Sequence, residues 1–80
     1  MKELTLFYKP TCPYCQKVMN FMEQEGISVD KANIQDSENR QRLIEVGKMD
    51  QVPCLFIDGD PMYESDDIIA YLRQCFCKGV

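Results

Sequence analysis

The chain contains no histidine. Any metal site would therefore have to be built from cysteine thiolates and carboxylates. No apolar run approaches the ~20 residues that a membrane-spanning helix needs, so no membrane partner is expected. The start, Met1-Lys2-Glu3-Leu4, carries an acidic residue, and the apolar-rich stretch behind it is too short for a secretory signal core. A cytoplasmic location is the expectation that follows. Basic residues number 9 against 13 acidic ones, for a net charge of −4, and they form no cluster. A nucleic-acid partner is thereby disfavoured, and the acidity reads simply as solubility. Repeats, low-complexity tracts and linkers are also missing, so the 80 residues are expected to form one domain, 1–80. A chain of this size buries roughly 60–65% of its unfolded surface, enough for one modest core. Cysteine, by contrast, is plentiful. There are five, an odd number that argues against a fully paired disulfide framework. In a reducing compartment a Cys-x-x-Cys pair is more often catalytic or metal-binding than structural.

The pattern of apolar residues predicts the elements in order. Residues 3–8, ending in Phe7-Tyr8, read as a buried strand. A helix is predicted from Pro13 to about Glu25, with Cys15, Val18, Met19 and Met22 on one face, Phe21 widening the stripe and Gly26 as the stop. Residues 28–34 read as a second strand. Asp36 or Ser37 can cap a second helix, which runs to about Val46, stops at Gly47 and offers Leu43, Ile44 and Val46 to the core. Cys54-Leu55-Phe56-Ile57 is a short apolar strand, Asp58-Gly59-Asp60 a hairpin turn, and Pro61-Met62-Tyr63 a returning edge strand. Ser65 caps a last helix with Asp66 and Asp67 in its first turn and Ile68, Tyr71, Leu72 and Cys75 on its inner face. The order is β-α-β-α-β-β-α. The first two strands should be parallel, joined by a right-handed crossover, with helices covering both faces of the sheet. Phe7, Phe21, Phe56, Tyr71 and Cys54 are expected in the core. Cys77 lies near the C-terminus and carries no mark of a catalytic thiol.

Three stretches carry chemistry. In Lys9-Pro10-Thr11-Cys12-Pro13-Tyr14-Cys15, the first cysteine falls about at a helix N-cap and the second one turn further in. Unpaired backbone N–H groups and the positive end of the helix dipole favour thiolate at Cys12. Lys9 adds positive charge, and Pro13 suits the first helical turn. The pair reads as a redox dithiol, with Cys12 as nucleophile and Cys15 as resolving thiol. The alternative, half of a structural zinc site, would need partners among Cys54, Cys75, Cys77 or carboxylates, and Cys75-Phe76-Cys77 is not a usual zinc spacing. The second stretch is Val52-Pro53, directly before a buried strand. A cis bond there would leave the Val52 main chain free to pair with an extended peptide; a trans proline opening a strand is equally compatible with the sequence. The third is Tyr63-Glu64-Ser65-Asp66-Asp67. A helix start of this kind can hold a carboxylate while Asp66 meets an ammonium, or it can serve only as a cap.

Taken together, Lys9 to Cys15, Val52-Pro53 and Ser65-Asp66-Asp67 resemble a dithiol glutaredoxin of the thioredoxin-like fold, over nearly the whole chain. The resemblance implies a four-stranded mixed sheet flanked by three helices and a cis Pro53. It also implies a set of roles toward glutathione. Cys12 would carry the mixed disulfide, the Val52 main chain would pair with the cysteine unit, and Lys9 would face the glycine carboxylate with help from Arg40. Tyr14 would line the groove, and Ser65 and Asp66 would hold the γ-glutamyl end. Two positions depart from the pattern. Tyr63-Glu64 stands where glutaredoxins usually have two glycines, but Glu64-Ser65 is similar to the pair with which glutathione S-transferase N-terminal domains hold the same group. Gln51 replaces a common threonine. The implied activity is glutathione-dependent reduction of protein disulfides and glutathione mixed disulfides. Glutathione would be co-substrate, with no tightly bound cofactor and no metal. The implied partners are disulfide-bonded or glutathionylated proteins, ribonucleotide reductase among the candidates, and a monomer is expected. The alternatives are a thioredoxin-like donor recharged by a flavoprotein reductase, and an iron–sulfur or zinc carrier.

Overall fold

The computed structural model describes residues 3–76. Its elements are β1 (Leu4–Tyr8), α1 (Pro13–Glu25), β2 (Asp30–Asn33), α2 (Ser37–Gly47), β3 (Cys54–Ile57), β4 (Asp60–Met62) and α3 (Ser65–Phe76). The strands form one mixed sheet in the order β2-β1-β3-β4. β1 runs parallel to β2 and antiparallel to β3, and β3 runs antiparallel to β4. The β-α-β-α-β-β-α order and the four-stranded mixed sheet with three helices are those expected from the sequence.

Alternation along the central strands builds two cores. Leu6 and Leu55, opposite each other across β1 and β3, face Val18 and Met22 of α1 and Ile68 and Leu72 of α3. Phe7, Cys54 and Phe56 point to the other face and meet Leu43 of α2 and Ala32 of β2. The Phe7 and Phe56 rings lie 4.4 Å apart at 44°, a tilted pairing that adds to their burial. So α1 and α3 cover one side of the sheet and α2 the other.

Chain ends of the elements follow local chemistry. Gly26 takes a left-handed φ of 67°, which lets the Ile27 N–H reach back 2.8 Å to the Met22 carbonyl and close α1. The Asp36 carboxylate accepts the Glu38 N–H at 3.0 Å and caps α2. Asp58 and Gly59 both have positive φ, the geometry of a two-residue hairpin turn.

Several expectations are corrected. β2 begins at Asp30 rather than at residue 28, and β4 spans Asp60–Met62 rather than 61–63. α2 includes Gly47 and ends on Lys48, whose φ is 65°. Gly47 is small for another reason: a Cβ there would run into the Tyr63 hydroxyl, which donates to the Gly47 carbonyl at 2.9 Å. Ile44 and Val46 are exposed, leaving Leu43 as the apolar anchor of α2. Ser65 is the first helical residue of α3 rather than its cap; the first helical bond runs from the Ile68 N–H to the Glu64 carbonyl. Cys75 is exposed, not core, because residues 73–76 all stand clear of the packed interface that ends at Leu72. Phe21 and Tyr71 are half-buried at the rim of the core, with the Arg73 guanidinium 5.2 Å above the Phe21 ring. Cys54 is buried as expected. Cys77 lies outside the described residues.

Candidate active site

The turn from β1 into α1 delivers the two cysteines to different surroundings. The Cys12 N–H bonds the Lys9 carbonyl at 3.0 Å, closing a tight turn, and the Cys12 carbonyl accepts the first helical bond from Gln16. Pro13 follows in the first turn of α1, where its missing N–H costs nothing. Cys12 is thus the N-cap residue, half-buried, and Cys15 sits one turn in with no exposed surface. Burial opposes ionisation of Cys12. It is outweighed by hydrogen bonds from the Cys15 N–H, the Cys15 thiol and the Tyr14 N–H, and by the Lys9 ammonium, so the thiol falls below its ordinary pKa. For Cys15 burial dominates, the Lys9 backbone offsets only part of it, and the hydrogen bond to Cys12 and the Cys12 charge add to it; the thiol is pushed up to about 12. One sulfur is set to attack and its neighbour is set to keep its proton, donating it toward the first.

Across from the cysteines, the loop before β3 brings in Val52, whose peptide bond to Pro53 is cis. The Cys12 Sγ lies 4.0 Å from the Val52 carbonyl oxygen. Val52 lines two cavities, one on each side. The first, about 530 Å³, holds Lys9 and Arg40 with Ser37 and Asp50. The second, about 350 Å³, holds Tyr14, Pro53, Glu64, Ser65 and Asp66, together with Lys17 and Gln51. The site residues named from the sequence therefore gather along one groove centred on Val52, with Cys12 beside its midpoint and Cys15 buried behind. Pro53 is buried, and Glu64 holds a left-handed φ of 72° that aims the chain into α3.

Two charged residues of this groove are already engaged. Arg40 is bound by Asp50 through both Nη2, at 2.6 Å, and Nε, at 3.2 Å, and that carboxylate holds the guanidinium above its ordinary pKa. Asp66 is bound by Lys17. Neither Asp50 nor Lys17 stood out in the sequence. A lysine on the polar side of α1 reads as a solvated charge, and only the packing of α1 beside α3 carries it to Asp66. Among the described residues no three His, Cys, Asp or Glu side chains gather as a metal site, and no helix is long and apolar enough to cross a membrane.

A family model described as glutaredoxin matches residues 4–62. The chain belongs to the glutaredoxin family. As a glutaredoxin it is a thiol oxidoreductase of the thioredoxin fold. It is 28% identical to glutaredoxin 3 of Escherichia coli K12 over 88% of this chain and 86% of that protein. Among solved structures, a variant of the thioredoxin-like protein BC3987 superposes with a TM-score of 0.76 at 25% identity, covering 92% of this chain and 94% of that one. A glutathione S-transferase from Methylobacillus flagellatus, solved with glutathione bound, superposes with a TM-score of 0.72 at 29% identity over 88% of this glutaredoxin. This glutaredoxin spans about a third of that transferase, 35% of its length.

Proposed function

We propose that this glutaredoxin reduces glutathione mixed disulfides and protein disulfides, with Cys12 as nucleophile, Cys15 as resolving thiol and glutathione as the reductant. The observation that carries the reading is the groove itself. An activated sulfur sits beside an extended backbone segment, with cations at one end and a helix start with Asp66 at the other. Glutathione has the matching parts: a glycine carboxylate, a central thiol and an α-amino acid end. Lys9, helped by Arg40, takes the carboxylate; the Val52 main chain pairs with the cysteine unit; Tyr14 and Pro53 line the middle. Glu64, Ser65 and Asp66 take the γ-glutamyl end. The transferase with bound glutathione lends support through its shared fold.

The chemistry balances without a metal. The Cys12 thiolate attacks the glutathione sulfur of a mixed disulfide. The client thiolate leaves and takes up a proton, and Cys12 carries glutathione. A second glutathione thiolate then attacks the sulfur of that bound glutathione, releasing glutathione disulfide and the Cys12 thiolate. With a protein disulfide, Cys12 first bonds one client sulfur. Cys15 then gives up its proton, bonds Cys12 and frees the reduced client, and two glutathione molecules restore the dithiol. The reading places this cycle in the reducing cytoplasm, carried out by a monomer.

The test is a pair of substitutions. Cys12→Ser abolishes turnover of a glutathione mixed disulfide, whereas Cys15→Ser retains it and loses reduction of protein disulfides. Residual turnover in Cys12→Ser at the wild-type level would overturn the assignment. A flavoprotein reductase that recharges the oxidised chain faster than glutathione does would instead favour a thioredoxin-like donor.

A further inference from the structure

The seat given above to the ligand's ammonium is not bare. Lys17, from the second turn of α1, places its Nζ 2.5 Å from the Asp66 Oδ1, in the first turn of α3. Both side chains line the 350 Å³ cavity with Tyr14, Val52 and Ser65. Their side chains are 53% and 82% exposed, so solvent and salt screen the contact and an incoming charged group can exchange with it.

The charge count in this cavity gives the lysine a role. Among the described residues lining it, Glu64 and Asp66 are acidic and Lys17 is the sole cation. An ammonium would be welcomed by the two carboxylates alone. A γ-glutamyl end, however, carries a carboxylate on the same carbon as its ammonium. With only Glu64 and Asp66 present, that carboxylate would meet like charge, which costs affinity. Lys17 supplies the missing opposite charge next to Asp66, and the start of α3 supplies backbone donors on the same wall.

We propose that Lys17 is a specificity-determining residue. It pairs with the α-carboxylate of the γ-glutamyl unit while Asp66 pairs with the α-ammonium, so that the two protein charges and the two ligand charges close into a ring. The Lys17–Asp66 ion pair of the free chain is the resting form of this ring. The cavity thereby selects a free α-amino acid, and disfavours tripeptide thiols lacking either of its charges. This rests on the glutathione reading and names which part of glutathione is checked.

The experiment compares three mixed disulfides of one reporter thiol as substrates of the full chain. The first carries glutathione. The second carries γ-aminobutyryl-cysteinyl-glycine, which lacks the α-carboxylate. The third carries glutaryl-cysteinyl-glycine, which lacks the α-ammonium. Wild type prefers the first over the second by about three- to five-fold in kcat/KM, carried mostly by KM. Lys17→Gln brings that ratio to near one, and Lys17→Arg restores it. Asp66→Asn erodes the preference over the third adduct instead. A ratio in Lys17→Gln equal to that of wild type overturns the proposal, as does an equal loss on all three adducts. Wild type that turns over none of the three overturns the glutathione reading itself, a result separable from the other two.

Discussion

Two cysteines one helical turn apart behave oppositely because burial and hydrogen-bond direction differ at each. Cys15 donates its thiol proton toward Cys12, which stabilises the Cys12 thiolate and raises its own pKa. Removing the donor in Cys15→Ala is therefore expected to move the inflection of Cys12 alkylation by iodoacetamide to higher pH. Cys15→Ser, which keeps a hydroxyl donor, shifts it less. An inflection at the same pH in wild type and Cys15→Ala would show that the thiol contributes nothing. The direction of the Cys12 shift was legible in the sequence, since N-cap position and Lys9 follow from spacing alone. The partners Lys17 and Asp50 were not: Lys17 meets Asp66 at a separation of 49 residues, and Asp50 folds back on Arg40 from the loop after α2, ten residues on.

At the scale of the element, α2 is the loosely held member. Sequence periodicity offers three apolar residues to its core face, yet only Leu43 is buried, while Ile44 and Val46 are each 42% exposed. A helix this short, set against the sheet face of Phe7 and Phe56, has room for a narrow stripe, and the sequence pattern does not show how wide the facing surface is. Leu43→Ala is accordingly expected to cost about 2–5 kcal/mol of unfolding free energy. Ile44→Ala should stay within about 0.5 kcal/mol, and Asp36→Ala, which removes the cap, should cost about 1 kcal/mol. Urea titration of the three variants checks the ranking, and equal losses for Leu43→Ala and Ile44→Ala would contradict it. Strand ends were the least legible feature. Asp30 and Asp60 join the sheet through their partners Thr5 and Ile57, and those pairings carry no local signature.

For the molecule as a whole, the buried thiols make stability depend on pH. Burial pushes Cys15 up to about 12, and it pushes Cys54 up to about 11 against the opposing hydrogen bonds from the Tyr63 side chain and the Met62 backbone. In the unfolded chain both ionise near the ordinary thiol value of 9.0. Above that pH the unfolded state has shed protons that the folded state keeps, so stability falls, by at most about 1.4 kcal/mol per pH unit for each thiol. Cys12 acts in the opposite sense: its lowered pKa adds stability as pH rises through the folded value, and that gain is complete once pH passes 9.0. Urea midpoints of the reduced protein should therefore decline from about pH 9 to pH 11, and Cys54→Ala should flatten part of the slope. A wild-type midpoint that holds level over that range would refute the linkage. The fold itself was readable because the β-α-β-α-β-β-α order, the proline and glycine stops, the weak alternation in β1 and the continuous apolar run of β3 all agree. Which side of the sheet each helix covers was settled only by the packing of Leu6 and Phe7 to opposite faces.

Gly47 and Tyr63 also have a bearing on how such a sequence can change. The tyrosine hydroxyl fills the space that any side chain at residue 47 would claim, and the very next residue, Glu64, stands on the wall of the cavity beside Val52. Residue 47 cannot drift first. A larger residue at 47 displaces the Tyr63 hydroxyl from its bond to the Gly47 carbonyl, whereas shrinking residue 63 first frees 47 to vary. Substitutions at the two sites should thus be inherited in a fixed order, tyrosine first and glycine second.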